Sequence, residues 1–192
     1  ATSTPTAKKL AGPLSPHSNV LLITVDAMRA DQLAAHGQPR AVVPNLNAWA
    51  EGGVIFQRGY CQVPHTSFSL ASLMTGTYLK SELAAAPNRS HRTLAQALRR
   101  YGHKTAGFFP PAVFYIDRES FTEQEKDRFG FEYVKYQYAS AEQRVDQVLA
   151  FLRQYPKKRV FVWAHFFEAH EPYITRDGFN FGARAQDRYQ SE

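Results

Sequence analysis

NVLLITV, residues Asn19 to Val25, is a continuous apolar run, partly β-branched and too short for a typical helix. A strand buried on both faces has this composition, and such strands belong to parallel sheets. RVFVWAHFF, Arg159 to Phe167, repeats the pattern near the other end of the chain. Between them, Pro44-Asn45 opens a short helical segment that Gly52 and Gly53 end, and Val54 to Tyr60 predicts a second strand. Ser67 to Thr75 reads as a helix stopped at Gly76. Thr93 with Gln96, and Ser140 with Gln143, are capping boxes ahead of two further helices. The first helix stops at Gly102; Lys104 to Phe109 then reads as a strand closed by Pro110-Pro111. In the second, Val145, Val148, Leu149 and Leu152 form one apolar stripe. The order β-α-β-α-β-α-β predicts a layered α/β/α domain around a mainly parallel sheet.

The chain has 192 residues, 44% hydrophobic and 21% charged, as in globular proteins generally. Residues 1–18, rich in Ser, Thr, Pro and Ala, read as a linker or processed segment, and 19–192 as the domain. The first residue is Ala1 rather than Met, so a signal peptide or membrane anchor upstream is compatible with it. No apolar run approaches the roughly 18 residues of a membrane span. The net charge of +6 is spread out, with only Arg99-Arg100 and Lys157-Lys158-Arg159 as clusters. That pattern, without a nucleic-acid-binding motif, argues against nucleic acid and for a mild field attracting small anionic substrates. Cys61 is the single cysteine, which excludes an intrachain disulfide and a Cys-based zinc site.

In open α/β sheets, chemistry collects where strands end and helices begin. Asp26 closes the first strand, Thr66 opens a helix, and His170 follows the last strand. A carboxylate at a strand end can hold a divalent cation, a hydroxyl at a helix start can be nucleophile and ligand, and an imidazole can steady oxygens in transfer. Each also has a plainer reading: a turn Asp, a Thr N-cap, a surface His. His165, inside the apolar run, reads as a packed core histidine, and Glu168 as a turn residue.

The surrounding sequence adds a second line of argument. NVLLITVDAMRADQL, VPNLNAWAEGGVIFQRGY and VPHTSFSLASLMTGTY together resemble the opening of sulfatase-type members of the alkaline phosphatase superfamily. The resemblance makes Asp26 a metal ligand. It places the nucleophile ten residues before the Gly76 of Leu-x-Thr-Gly-x-Tyr, at Thr66. WAHFFEAHEPY resembles the family's Asp-Pro-His-x-Pro-Tyr segment and implies a substrate-binding role for His170.

Departures from the family pattern bear on the chemistry. Sulfatases carry an oxidisable Cys or Ser in Cys/Ser-x-Pro-x-Arg, whereas this chain has Thr66-Ser67-Phe68-Ser69-Leu70. Oxidised Thr would be a ketone, not an aldehyde. Cys61 lies five residues out of register with Gly76, has no Arg after it, and reads as a buried structural cysteine. Threonine is instead the nucleophile of the family's phosphodiesterases and its phosphoglycerol and phosphoethanolamine transferases, where metal coordination activates it. Ala27 replaces a second Asp common in sulfatases. That implies a single-metal pattern in which Mn²⁺ or Zn²⁺ is as suitable as Ca²⁺ or Mg²⁺. His65, beside Thr66, and Lys104 are candidates for substrate binding, with Lys80 a third by proximity in sequence.

The resemblance therefore implies a metal-dependent hydrolase or transferase of phosphate mono- or diesters, with an arylsulfatase-like sulfuric ester hydrolase and a non-catalytic scaffold as alternatives. The family's Asp-His metal pair would fall beyond Glu192, so the remaining C-terminal half of the domain is expected to be needed, and these residues alone to be inactive. Relatives with such a lead-in act outside the cytoplasm, which implies a periplasmic or membrane-anchored location.

Overall fold

A computed structural model describes residues 17–40, 42–78, 92–114, 128–174, 176, 178 and 180–192. Most of the expected linker, and Lys80, lie outside these residues. Strands β1 (Val20–Val25), β2 (Lys104–Phe109), β3 (Tyr133–Tyr136) and β4 (Val160–Phe166) form one sheet in the order β1-β4-β2-β3. Every pairing in it is parallel.

Alternation along β4 divides the core in two. Phe161 and Trp163 face one side, with Leu70, Ala71 and Met74 of α2 (Thr66–Thr75) and Ala95 of α3 (Leu94–Arg100). Val160, Val162 and Ala164 face the other, against Val148 and Phe151 of α4 (Ala141–Gln154). Helices thus cover both faces, as the sequence predicts. The first core is built around aromatic rings: Phe131 stacks on Phe161 and Trp163 with centroids 5.4 and 6.0 Å away. Gly107 makes room for it, because a Cβ there would stand 3.0 Å from the Phe131 ring.

Both capping boxes form, Thr93 with Gln96 and Ser140 with Gln143. Each cap satisfies helix N–H groups that have no partner within the helix, a contribution of about 1 kcal/mol. Gly76 ends α2 in the left-handed region, with φ of 68°, where a side chain would be strained. The expected helix at Pro44 is α1 (Pro44–Ala50), and α5 (Ala185–Ser191) completes the order.

Four expectations are corrected. Among the described residues β1 is an edge strand and not buried on both faces, with Leu21, Ile23 and Val25 exposed and Val20 and Leu22 packed on the first core. Among the described residues Val54 to Tyr60 forms no strand pairing, and Val54, Phe56 and Tyr60 are exposed. The fourth strand is β3 instead, which pairs with β2. On α4 the buried face runs through Arg144, Val148 and Phe151, while Val145 and Leu149 are exposed. Cys61 is exposed rather than a buried structural residue.

Candidate active site

All four strands run the same way, so their carboxyl ends share one edge of the sheet. The Asp26 N–H donates to the Phe166 carbonyl at 2.8 Å, extending the β1–β4 pairing one residue past β1. The chain then turns sharply, with Ala27 at a φ of 54°. Tyr189 of α5 holds this turn: its hydroxyl donates to the Ala27 carbonyl at 3.0 Å and accepts from the Arg29 N–H at 2.8 Å. The Asp26 carboxylate, largely buried, is left facing α2.

Thr66 is the first residue of α2, and the N-cap position belongs to His65, whose side chain makes no capping bond. The Thr66 hydroxyl is therefore not consumed as a cap, the plainer reading of that residue. It donates instead toward both Asp26 oxygens, 3.3 and 3.4 Å away. Neighbouring Ser67 anchors the helix start by donating to the Val113 carbonyl at 2.7 Å. Buried Leu70 and Met74 add about 1.5–3 kcal/mol each and fix the other end of α2 on the sheet.

His165 is buried, as the sequence predicts, but it is more than core filling. Its Nε2 lies 3.5 Å from Asp26 Oδ2, and its Nδ1 lies 2.8 Å from the Thr24 hydroxyl. Burial alone would raise the Asp26 carboxyl. Contact with His165, the charge of His170 and the Ala27 N–H outweigh burial, and Asp26 stays below its ordinary value. Asp26 is thus held as the anion.

His170 stands in the turn after β4, exposed, its ring stacked on Phe167 with centroids 4.7 Å apart. It lines the same cleft as His65, Thr66, Tyr138 and Phe167. The structure therefore brings together Asp26, Thr66, His65 and His170. It does not bring Lys104 to them. Lys104 opens β2, at the opposite end of the sheet, where its ammonium pairs with Glu132 at 2.9 Å. Glu168 lies in the turn after β4 and pairs with Arg176 at 2.9 Å.

The sequence reading missed the part of His165 next to Asp26, and Tyr189 altogether. A polar residue one place before the end of an otherwise apolar strand was the available signal for His165. Nothing local marks Tyr189, whose partners lie 160 and 162 residues earlier.

Comparison with known proteins adds independent findings. The family model described as Sulfatase matches residues 18–191. An arylsulfatase of Clostridium perfringens is 41% identical over 63 residues, 33% of this chain and 13% of that protein. Two solved structures share the fold over 91% of this chain. One is the C-terminal periplasmic domain of EcEptC from Escherichia coli, in complex with Zn (TM-score 0.59, 15% identity, 54% of that chain covered). The other is a protein of the alkaline phosphatase superfamily from Vibrio parahaemolyticus (TM-score 0.66, 16% identity, 47% covered). The chain thus spans about half of each solved structure.

Proposed function

The chain belongs to the sulfatase family, and on that premise we propose that it is the nucleophile-bearing part of a metal-dependent hydrolase or transferase acting on phosphate mono- or diesters. The observation that carries this reading is Thr66 Oγ1 at the start of α2, turned onto an anionic Asp26 at 3.3 to 3.4 Å.

The two side chains fit a divalent cation. Two oxygens bound to one ion at about 2.0–2.1 Å, at tetrahedral or octahedral angles, lie roughly 3 to 3.4 Å apart. Among the described residues no group of three or more His, Cys, Asp or Glu forms a cation site. Asp26 and Thr66 would therefore be two of the ligands, with the others coming from the half of the fold that these residues do not span. The Escherichia coli neighbour in complex with Zn supports Zn²⁺, and Mn²⁺, Ca²⁺ and Mg²⁺ suit the same oxygens. The ion would supply Lewis-acid activation and neutralise charge on the reacting group.

Thr66 Oγ1 would lose its proton and form the new bond to phosphorus as the bond from phosphorus to the ester oxygen breaks, and the departing alkoxide takes up a proton to leave as the alcohol. Water, in a hydrolase, or a second alcohol, in a transferase, releases the group from Thr66. The helix dipole of α2, which Thr66 opens, would favour the transferred anion by about 0.3–1 kcal/mol. His170, and His65 beside the nucleophile, would hold its non-bridging oxygens. Asp26, carrying the negative charge, orients the hydroxyl.

Sulfuric esters are the second reading, favoured by the 41% identity to an arylsulfatase over 63 residues. Against it, no oxidisable Cys or Ser stands at the Thr66 position, and Cys61 is exposed and out of register. A location outside the cytoplasm is part of the proposal, supported by the periplasmic neighbour. No helix among the described residues is long and apolar enough to cross a membrane.

The test compares p-nitrophenyl phosphate mono- and diesters with p-nitrophenyl sulfate, with and without added Zn²⁺, Mn²⁺ or Ca²⁺, in the full-length protein and its Thr66→Ala variant. Metal-dependent phosphoester turnover that the variant loses is the expected result. Sulfate turnover that survives Thr66→Ala would sink the reading.

A further inference from the structure

Beneath Asp26 lies a chain of polar groups inside an otherwise apolar core. The Trp163 indole N–H, fully buried, donates to the Thr24 hydroxyl at 2.9 Å. That hydroxyl lies 2.8 Å from His165 Nδ1. His165 is 2% exposed, and its Nε2 is a buried atom with no hydrogen bond among the described residues. The Asp26 carboxylate stands beside that atom, 3.5 Å away.

The chemistry of these groups sets the direction of the chain. Indole nitrogen is only a donor, so Thr24 must accept from Trp163. The Thr24 hydroxyl carries one hydrogen, and among the described residues its only other hydrogen-bond partner is His165 Nδ1. If Nδ1 carried a hydrogen, the hydroxyl hydrogen would face a donor and have no acceptor inside the core. Buried polar groups are rarely left in that state. Thr24 therefore donates, Nδ1 accepts, and the imidazole hydrogen sits on Nε2.

We propose that His165 is a positioning residue, locked by Trp163 and Thr24 in the tautomer that carries its hydrogen on Nε2, from where it orients the Asp26 carboxylate toward the cation and Thr66. Trp163, Thr24 and His165 lie on one face of β1 and β4, since Thr24 and His165 are register partners. The device thus belongs to the two adjacent strands whose carboxyl ends meet at the site. It rests on the reading of Asp26 as a metal ligand. Supports of this kind to a ligand change metal affinity by about 10- to 100-fold when removed.

The experiment uses the full-length protein labelled with ¹⁵N at histidine, with long-range proton–nitrogen spectra at alkaline pH before and after addition of Zn²⁺. Titration with Zn²⁺ gives the affinity separately. The expected wild-type spectrum shows Nδ1 as an acceptor nitrogen and a hydrogen on Nε2, both before and after Zn²⁺. Thr24→Val, close in shape and equally suited to a strand, should mix the tautomers and weaken Zn²⁺ binding by about tenfold or more. Thr24→Ser, which restores the hydroxyl, should restore both.

A hydrogen on Nδ1 in the wild type would overturn the proposal. So would a coordination shift at Nε2 on adding Zn²⁺, which would make His165 a ligand, or a Thr24→Val variant unchanged in tautomer and affinity. Asp26→Asn separates this inference from the reading beneath it. If Asp26→Asn leaves Zn²⁺ affinity intact, the ligand role of Asp26 fails, whatever the tautomer.

Discussion

Both ends of the sheet carry polar side chains and use them in opposite ways. At the amino ends of β2 and β3, the groups close on one another. Lys104 pairs with Glu132 at 2.9 Å, Glu132 accepts the Thr105 N–H at 3.0 Å, and the Thr105 hydroxyl accepts the Glu132 N–H at 3.1 Å. At the carboxyl ends of β1 and β4, contacts are long or one-sided: Thr66 to Asp26 at 3.3 and 3.4 Å, His165 to Asp26 at 3.5 Å. A saturated cluster holds strands in register, whereas groups gathered at longer range have capacity left for an ion or a substrate. The difference separates a structural polar cluster from a candidate site without appeal to residue type.

The largest effect should come from breaking the open end. Asp26→Asn keeps the shape and removes the charge. Loss of a ligand to the ion should lower ester turnover by about a hundredfold or more, corresponding to about 2.7 kcal/mol. The same change should cost some stability, because the fold holds Asp26 as the anion, but turnover should fall far more than the denaturant midpoint. A variant that loses stability while keeping its turnover per folded molecule would reverse the assignment of the two ends.

Glu132→Gln probes the closed end and should do the opposite. It removes the charge that Lys104 and two backbone or side-chain donors of β2 converge on, and should cost about 1 kcal/mol of stability after allowance for solvent screening. Turnover per folded molecule should stay unchanged. Urea denaturation and the ester assay on the same preparation check the pair of outcomes.

How much of this was legible in the sequence follows from what apolarity does and does not encode. NVLLITV and RVFVWAHFF are strands because short apolar runs have few other options. Equal apolarity does not say which strand is central, so β4 is buried on both faces while Leu21, Ile23 and Val25 of β1 are 55, 51 and 38% exposed. Val54 to Tyr60 has a strand-like composition but no partner among the described residues, and a strand is defined by pairing. On α4, Arg144 takes a buried position that a count of apolar residues assigns elsewhere. Its guanidinium donates to the Gln137 carbonyl at 2.8 Å and to Gln147 at 3.0 Å, which gives two of its buried donors partners. Asp26 and Thr66 could be picked as candidates because strand ends and helix starts lie along one edge of a parallel sheet, and the structure places them 3.3 to 3.4 Å apart. Lys104 was misread because closeness in sequence says nothing about which end of a strand a residue occupies.

The smallest effects concern protons and the exposed partner at the closed end. Partial burial would raise the Glu132 carboxyl, but the Lys104 hydrogen bond, the Thr105 N–H and the charges of Lys104 and Arg99 outweigh it and lower it below the ordinary glutamate value of 4.5. A carboxyl depressed on folding contributes stability fully above its unfolded value and loses it as pH falls through the folded one. Stability should therefore decline below about pH 4.5, and Glu132→Gln should flatten that limb when melting is followed against pH. Lys104→Met removes one exposed partner yet leaves Glu132 its Thr105 donors, so it should cost under about 1 kcal/mol. Because Lys104 stands at the far end of β2 from Thr66, kcat and KM for esters should not move. A rise in KM on Lys104→Met would mean that the ammonium reaches the substrate after all, and the division between the two ends would have to be redrawn.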